Sequence, residues 1–507
     1  MATKSKRAAT TRFIPACERL ESRELLAVSA TLSAGVLTVK GTTVNESIVL
    51  RQANSRVSVD GLSKSFATSS IQSVIVNSGG GADTISLVGL KAQPWNKPIS
   101  VRNGGGVDTV KLLDGKNCFL SGSNQNLNLT SSGAATLNGQ ALDWFDGAIR
   151  DAALKQILRN DYCDDGALNR NEMLDAFDRV EQDGTVNAQE FNDLKAVANN
   201  AWLFGSATYV TDLTKSVVLG SPANAKFQGT TLGNLTSGSS ADKLDKLVGK
   251  WFLGEDRPDA RYSGLSVTYA HAAGTLFGAG GPEYTDVRQG AVGDCYFVGV
   301  LAEIADESPA AITNMFIVNG DGTYTVRFFQ NGTSRFVTVD SHLPTYAGGW
   351  LLYAGMGAQA SNPQNVLWVA LAEKAYAQMN EAGWLRPAGW GGGQNSYAGI
   401  AGGLFTDVTR QVANRAGTNY DASGESNATA IQNAETSGKL VGFASLSNPL
   451  DSRIVGNHQY VLIGYNNTTK TLTLFNPWGL NNGSQYPGLV DISLSQLGSS
   501  FDYWSVA

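Results

Sequence analysis

Histidine and cysteine are scarce in this chain, with three and four respectively in 507 residues. Cys17, Cys118, Cys163 and Cys295 lie far apart, with no C-x-x-C pair. That excludes a zinc knuckle and a dense disulfide framework. A Cys118–Cys163 bridge is open to the chain, but nothing in the spacing selects it. Charge is also thin: 16% of residues are charged, the net charge is −6, and no basic stripe runs through the sequence. Nucleic acid is thereby excluded as an expected partner. No apolar run approaches the ~18 residues of a membrane-spanning helix. What is abundant is glycine (57 residues) and apolar side chains (42%), enough for real cores. The composition fits a β-rich, turn-rich extracellular protein, and the length suggests about two to four domains.

Residues 1–28 form a basic leader, with Lys4, Lys6, Arg7 and Arg12 ahead of a short apolar stretch broken by charge. A secretory apolar core wants about seven uninterrupted apolar residues, so the physical signal for export is weak. The segment Leu20-Glu-Ser-Arg-Glu-Leu-Leu26 nevertheless resembles a motif on exported or surface proteins of budding, planctomycete-type bacteria. The expected location is extracellular or at the cell surface, with the cytoplasm as the alternative. Residues 29–140 alternate with period two between Gly-, Asn- and Ser-rich turns, which predicts β-structure. Within them Ser78-Gly-Gly-Gly-Ala-Asp-Thr-Ile-Ser86 aligns with Asn103-Gly-Gly-Gly-Val-Asp-Thr-Val-Lys111, and Glu46-Ser-Ile48 reads as a decayed third copy. The pattern is similar to the calcium repeat of parallel β-helices, but that repeat recurs about every nine residues. Here the expectation is a small β-solenoid or sandwich with Gly-Asp turns.

Residues 141–215 turn helical in pattern. Counting from Asp161, oxygen side chains fall where an EF-hand loop needs them, at Asp161, Asp165, Asn169 and Glu172, with Gly166 at the sharp turn. Cys163 stands where a hard cation wants oxygen. A second copy over 179–190 opens on Arg179. The expectation is a compact helical, EF-hand-like module with one weak calcium loop. Residues 216–255 read as a linker with one short helix, and 256–507 as the last domain.

The chemistry is concentrated in that last domain. Gln289-Gly-Ala-Val-Gly-Asp-Cys295 runs directly into the apolar Tyr296-Phe-Val-Gly-Val-Leu-Ala302. Cys295 is therefore expected at the first turn of a buried helix, where N–H groups and the helix dipole favour a thiolate. Of the candidate bases, His271 and His342 have ordinary contexts. His458 stands at the mouth of a β-run, Gln459-Tyr-Val-Leu-Ile463, and Asn476 ends the next one. Two adjacent antiparallel strands would set them side by side, and an amide oxygen holds an imidazole in one tautomer without adding charge. Cys, His, Asn is the chain order of papain-like sites.

These contexts resemble one family, the calpains. The Gln289–Phe297 block, Val339-Asp-Ser-His-Leu-Pro344, Leu367-Trp-Val-Ala-Leu-Ala-Glu-Lys-Ala-Tyr-Ala377, Asn457-His-Gln-Tyr460 and Phe475-Asn-Pro-Trp-Gly479 match its blocks in order, over about residues 256–507. With the patterns of the first half, the expected architecture is multidomain, an N-terminal all-β repeat module and a small helical EF-hand-like module ahead of the last domain; for that last domain the resemblance implies an α+β, papain-like catalytic fold. It implies a cysteine endopeptidase acting on protein or peptide substrates. Cys295 would be the nucleophile, His458 the general acid/base and Asn476 its orienting residue. Gln289 would serve the oxyanion hole, and Trp478 would lie over the Asn–His bond. Calcium is the implied cofactor, with Asp286 and Glu373 as ligands at one site; at a second, the family's acidic residue is replaced by Asn482. Two further readings are an inactive calpain-like surface binding or adhesion protein and an acyl transferase of the transglutaminase type.

Overall fold

The computed structural model describes residues 28–89, 97–105, 108–113, 118–121, 127–129, 135–137, 144–423 and 427–507. Residues 1–27 of the basic leader lie outside the described residues. The chain divides into two compact units, one up to Leu168 with 202–205, the other comprising 169–201 and 206–507.

In the first unit the strands are β1 (Ser29–Ser33), β2 (Val36–Lys40), β3 (Ser47–Ala53), β4 (Arg56–Val59), β5 (Ser65–Ala67), β6 (Ser73–Gly80), β7 (Thr84–Gly89), β8 (Ile99–Gly105), β9 (Thr109–Leu113), β10 (Cys118–Ser121), β11 (Leu127–Leu129) and β12 (Ala135–Leu137). They form two six-stranded sheets, β1-β2-β6-β8-β11-β12 and β10-β9-β7-β3-β4-β5. β2, β6 and β8 pair in parallel, as do β3, β7 and β9. Thr84 faces Thr109, so the aligned repeats stack copy upon copy, and Ser47 faces Thr84 as the third rung. The repeat aspartates hold these rungs together. Asp108 Oδ1 accepts the Asp83 N–H at 3.0 Å, and Asp83 Oδ1 accepts the Glu46 N–H at 2.9 Å. Both are buried, and a buried carboxylate needs such donors. Alternate residues such as Leu37, Ile48, Val76, Ile85 and Val101 fill the space between the sheets.

Helices α1 (Trp144–Ala148) and α2 (Ala152–Asp165) follow. Here the first calcium loop is corrected. Asp161 lies within α2, whose buried stripe Leu154, Leu158, Tyr162 continues through it. The side chain of Asp165 lies outside the described residues. Gly166 is the left-handed cap that ends α2 (φ 83°). Asn169 and Glu172 form the capping box of α3 (Arg170–Glu181), their oxygens accepting N–H groups of that helix start. A helical stripe and a capping box claim the residues that a loop would have presented. Cys163 is disulfide-bonded.

In the second unit α3, α4 (Ala188–Asn199) and α5 (Thr208–Val218) precede the hairpin β13 (Lys226–Phe227) and β14 (Thr230–Thr231), then α6 (Ala241–Trp251). Between α3 and α4, Gly184 takes the left-handed turn (φ 75°) and Val186 exchanges backbone hydrogen bonds of 2.8 Å with Gly238 and Ser239. Arg179, at the head of this second degenerate copy, ends 3.4 Å from Asp183. A side-chain cation thus occupies the neighbourhood of the carboxylate that a metal would need. Residues 216–255 are more than a linker. Lys250 is buried against Asp256 and Glu381, Arg170 donates to the Phe252 carbonyl at 2.7 Å, and Asp212 accepts the Phe336 N–H at 2.9 Å. These bonds join the helices to the C-terminal residues.

The remainder comprises β15 (Thr268–His271), α7 (Cys295–Glu307), α8 (Pro309–Thr313), β16 (Phe316–Val318), β17 (Thr323–Gln330), β18 (Thr333–Asp340), β19 (His342–Tyr346), β20 (Trp350–Leu351), α9 (Trp368–Met379), α10 (Phe405–Ala413), β21 (Thr418–Asp421), α11 (Asn427–Thr436), β22 (Val441–Ser445), β23 (Gln459–Asn466), β24 (Thr471–Phe475), β25 (Leu489–Ser493), α12 (Leu497–Ser500) and β26 (Phe501–Val506). Six of these strands make one antiparallel sheet, β21-β26-β22-β23-β24-β25. α7 and α9 share the largest core, through Phe297, Leu301, Leu371 and Tyr376, with Phe297 stacked on Tyr376 at 4.1 Å. Among the described residues, no helix is long and apolar enough to cross a membrane.

Candidate active site

The loop before α7 is pinned on both sides. The Gln289 N–H donates to the Pro477 carbonyl at 2.8 Å, and the Ala291 N–H to the Leu352 carbonyl at 3.0 Å. Between them Gly290 has no room for a side chain: a Cβ there would meet the Tyr353 carbonyl oxygen at 2.2 Å. The loop delivers Cys295 as the first residue of α7, whose next ten residues are all buried. Gly299 lets this helix approach the Asn476-Pro477 turn, where a Cβ would lie 3.3 Å from the Pro477 ring. Glu303 accepts the Val441 N–H at 2.6 Å, which fastens α7 to the sheet.

His458 stands immediately before β23. Its N–H donates to Ser445 Oγ at 2.8 Å, and its carbonyl accepts the Ser445 N–H at 2.9 Å. Asn476 follows β24 and is fully buried. The expected pairing is present: His458 Nε2 lies 2.9 Å from Asn476 Oδ1. Asn476 Oδ1 also accepts the Trp478 N–H at 3.0 Å, while Nδ2 points to the Pro487 carbonyl. These contacts fix which end of the amide faces the ring. An amide oxygen cannot donate, so Nε2 carries the proton and Nδ1 is the bare nitrogen. The Trp478 ring lies beside the imidazole, centroids 5.3 Å apart and tilted 56°.

Cys295 and His458 line one cleft of about 540 Å³ with Gln289, Trp478, Asp502 and Tyr503. The side chain of Gln289 is anchored through Nε2 to the Val292 carbonyl at 2.8 Å. A larger cavity of about 760 Å³, bordered by Asp256, Arg257, Asp259 and Glu381, is lined by neither cysteine nor histidine; the smaller one brings the two together.

Burial sets the protonation of the cleft. It pushes the Cys295 thiol up to about 11, against hydrogen bonding from the Gln459 backbone. It pushes the His458 imidazole down to about 4, although Asn476 favours the charged ring. The helix start therefore does not make the thiol acidic, as its position in sequence suggested. Desolvation of a thiolate outweighs the dipole of one helix turn, and the neighbouring Asp294 charge opposes ionisation further.

Directly behind the thiol, Asp294 and Glu373 form a buried carboxyl pair. Burial raises Asp294 to about 7 and Glu373 well above the ordinary carboxylate range. Sequence reasoning missed this pair and had placed Glu373 with Asp286 around a calcium ion. In the structure the two carboxylates take different partners. Glu373 turns into the core and accepts the Ala354 N–H at 2.9 Å. Asp286 Oδ2 accepts the Trp368 indole N–H at 2.8 Å and the Glu283 N–H at 3.0 Å. Asn482 spends both amide donors on carbonyls of its own turn. Among the described residues no group of three or more His, Cys, Asp or Glu side chains is placed to hold a metal.

Residues 268–486 match the family model described as calpain family cysteine protease. The rice protein "Calpain-type cysteine protease ADL1" (Oryza sativa subsp. japonica) is 35% identical over 146 residues, covering 28% of this chain and 6% of that protein. Mouse "Calpain-8" is 29% identical over 224 residues, and bovine "Calpain-2 catalytic subunit" 27% over 224; each match covers 40% of this chain and 29% of the relative. The chain thus spans a minor part of the length of the relatives it matches.

Proposed function

Residues 268–486 are a calpain-family cysteine protease domain, and from that premise we propose that the chain is a cysteine endopeptidase cleaving extended peptides in the Cys295–His458 cleft. The observation that carries the reading is the His458–Asn476 hydrogen bond, made in the cleft that also holds the one free cysteine among the described residues. The resting pair is neutral. As the Cys295 sulfur attacks the scissile carbonyl, its proton passes to the bare Nδ1 of His458. The Gln289 amide and the Cys295 N–H stabilise the developing oxyanion. The imidazolium then protonates the leaving amine, and a water activated by the same ring releases the acyl group from sulfur. Asn476 keeps the proton on Nε2 throughout, and Trp478 excludes water from that bond.

Casein hydrolysis that disappears in Cys295→Ala, together with a thiol-directed epoxide mapped to Cys295, is the expected result. Hydrolysis undiminished in Cys295→Ala overturns the reading. Amine incorporation without cleavage would favour an acyl transferase, against which the neutral Asn476 argues. Binding without hydrolysis would favour the inactive adhesion reading. A calcium influence on activity rests on the family likeness; rates in calcium and in chelator measure it. An extracellular or surface location is likewise proposed, to be tested by fractionating cells that express the full chain.

A further inference from the structure

The catalytic cleft carries a single fixed charge. Asp502 lines it, and no lysine or arginine does. This carboxylate is exposed and makes no ion pair or side-chain hydrogen bond among the described residues. Its position results from a break in strand pairing. Ala444 faces Tyr503, but Ser445 faces Phe501, so Asp502 has no partner on β22. A bulge of this kind re-aims side chains beside active sites. Here Phe501 and Trp504 stay in the core while Asp502 and Tyr503 both border the cleft. Burial raises the Tyr503 phenol, and the charges of Asp502 and Cys295 add to the effect, so this corner lies within electrostatic reach of the sulfur.

We propose that Asp502 is a specificity-determining residue that selects a lysine or arginine side chain in the substrate, on the acyl side of the scissile bond. The proposal rests on the peptidase reading. The sheet order β26-β22-β23-β24 puts Asp502 and the Asn476–Trp478 turn on opposite sides of His458. The leaving amine must face His458, so the chain after the bond runs past Trp478 and the chain before it runs towards β26. Two strand steps separate His458 from Asp502, about 10 Å. Extended peptide covers that distance in about two or three residues. A cation there meets one carboxylate in a cleft otherwise free of charge.

The test uses the full-length chain and mass-spectrometric mapping of its cleavage sites in a denatured protein mixture. Wild type is expected to show Lys and Arg enriched two or three positions before the cleaved bond. In Asp502→Asn the ratio of kcat/KM between a basic peptide and its neutral isostere should fall about fivefold, the scale of a partly exposed charge pair. Asp502→Lys should invert the preference towards Asp and Glu, and high salt should weaken the wild-type ratio. Cleavage that depends on Cys295 but shows no basic enrichment overturns the proposal alone, as does enrichment that survives both variants. Absence of any Cys295-dependent cleavage overturns the peptidase reading and the proposal with it.

Discussion

Replacing Asn476 by alanine separates the orienting role of this residue from simple packing. Its Oδ1 accepts two protons, from His458 Nε2 at 2.9 Å and from the Trp478 N–H at 3.0 Å. His458 is buried, so its ring N–H would be left without a partner in a site poor in water. An orphaned buried donor costs about 1–3 kcal/mol. Trp478 is only half-buried and regains some hydration, so the two together come to about 2–4 kcal/mol. For a compact unit of this size that is a fall in melting temperature of roughly 3–6 °C. The kinetic loss should be larger. Without Asn476 nothing selects the tautomer that leaves Nδ1 bare, and a misassigned tautomer in a nucleophile–histidine site can cost on the order of 10⁴ in rate. The expected result is a kcat reduced by about 10²–10⁴ with KM little changed, read with a fluorogenic peptide below the melting point of the variant. Asn476→Asp restores an acceptor and adds an anion, which raises the imidazole and moves the acid limb of the rate profile upward. A folded Asn476→Ala enzyme with kcat within about threefold of wild type would refute the role of this hydrogen bond.

The remaining tests concern buried titrating groups. His458 is depressed to about 4. Below about pH 6.5 the unfolded chain takes up a proton that the folded imidazole refuses, so stability should fall by up to about 3 kcal/mol between pH 6.5 and 4; urea melts should lose that slope in His458→Gln. Cys295, raised to about 11, should react with iodoacetamide at a rate still climbing beyond pH 9, and a plateau below pH 8 would contradict a neutral resting thiol. The Asp294–Glu373 pair is raised by burial. A raised carboxyl stabilises the fold while protonated and stops doing so as pH climbs from about 4 through its folded value. Glu373→Gln, which can still accept the Ala354 N–H, should therefore raise the melting temperature at pH 8 more than at pH 5. Lys374 is buried on Asp340, the Asp340 carbonyl and the His342 carbonyl, and Lys374→Met should cost about 3–5 kcal/mol by stranding those acceptors, measured by denaturant unfolding.

The reacting groups were legible in sequence because each sits at a local signal. Cys295 opens an apolar helix, His458 opens a strand and Asn476 ends one. The 25-residue step between Asp83 and Asp108 was legible too, and it reappears as the stacking register of the parallel strands, with an N–H-to-carboxylate bond at the repeat itself. What local pattern could not give was burial. Loop-like oxygens at 161–172 lost to the apolar stripe Leu154, Leu158, Tyr162, because burying one helix face outweighs presenting ligands in spacing alone. Glu373, read from the resemblance as a calcium ligand, lies in a helix buried on every side. Ser445 and Asp502 had no signal, since their place in the cleft depends on strand pairings distant in the chain.

Burial also decides what the site is before substrate arrives. Moving a proton from a thiol near 11 to an imidazole near 4 costs about 10 kcal/mol before the two charges attract each other. At an effective dielectric constant near 20, an attraction at contact distance returns about 4 kcal/mol. The balance leaves thiolate and imidazolium several kcal/mol above the neutral pair, so they are not the resting state. A gap of that size is small beside the barrier to amide hydrolysis, and it is closed in the step where it matters, as the sulfur bonds to carbon and gives up its negative charge to the oxyanion. The arrangement therefore needs only one proton acceptor held in one tautomer, which is what the amide of Asn476 supplies without charge. A carboxylate in its place would stabilise the imidazolium at rest and draw the sulfur towards a thiolate open to oxidation.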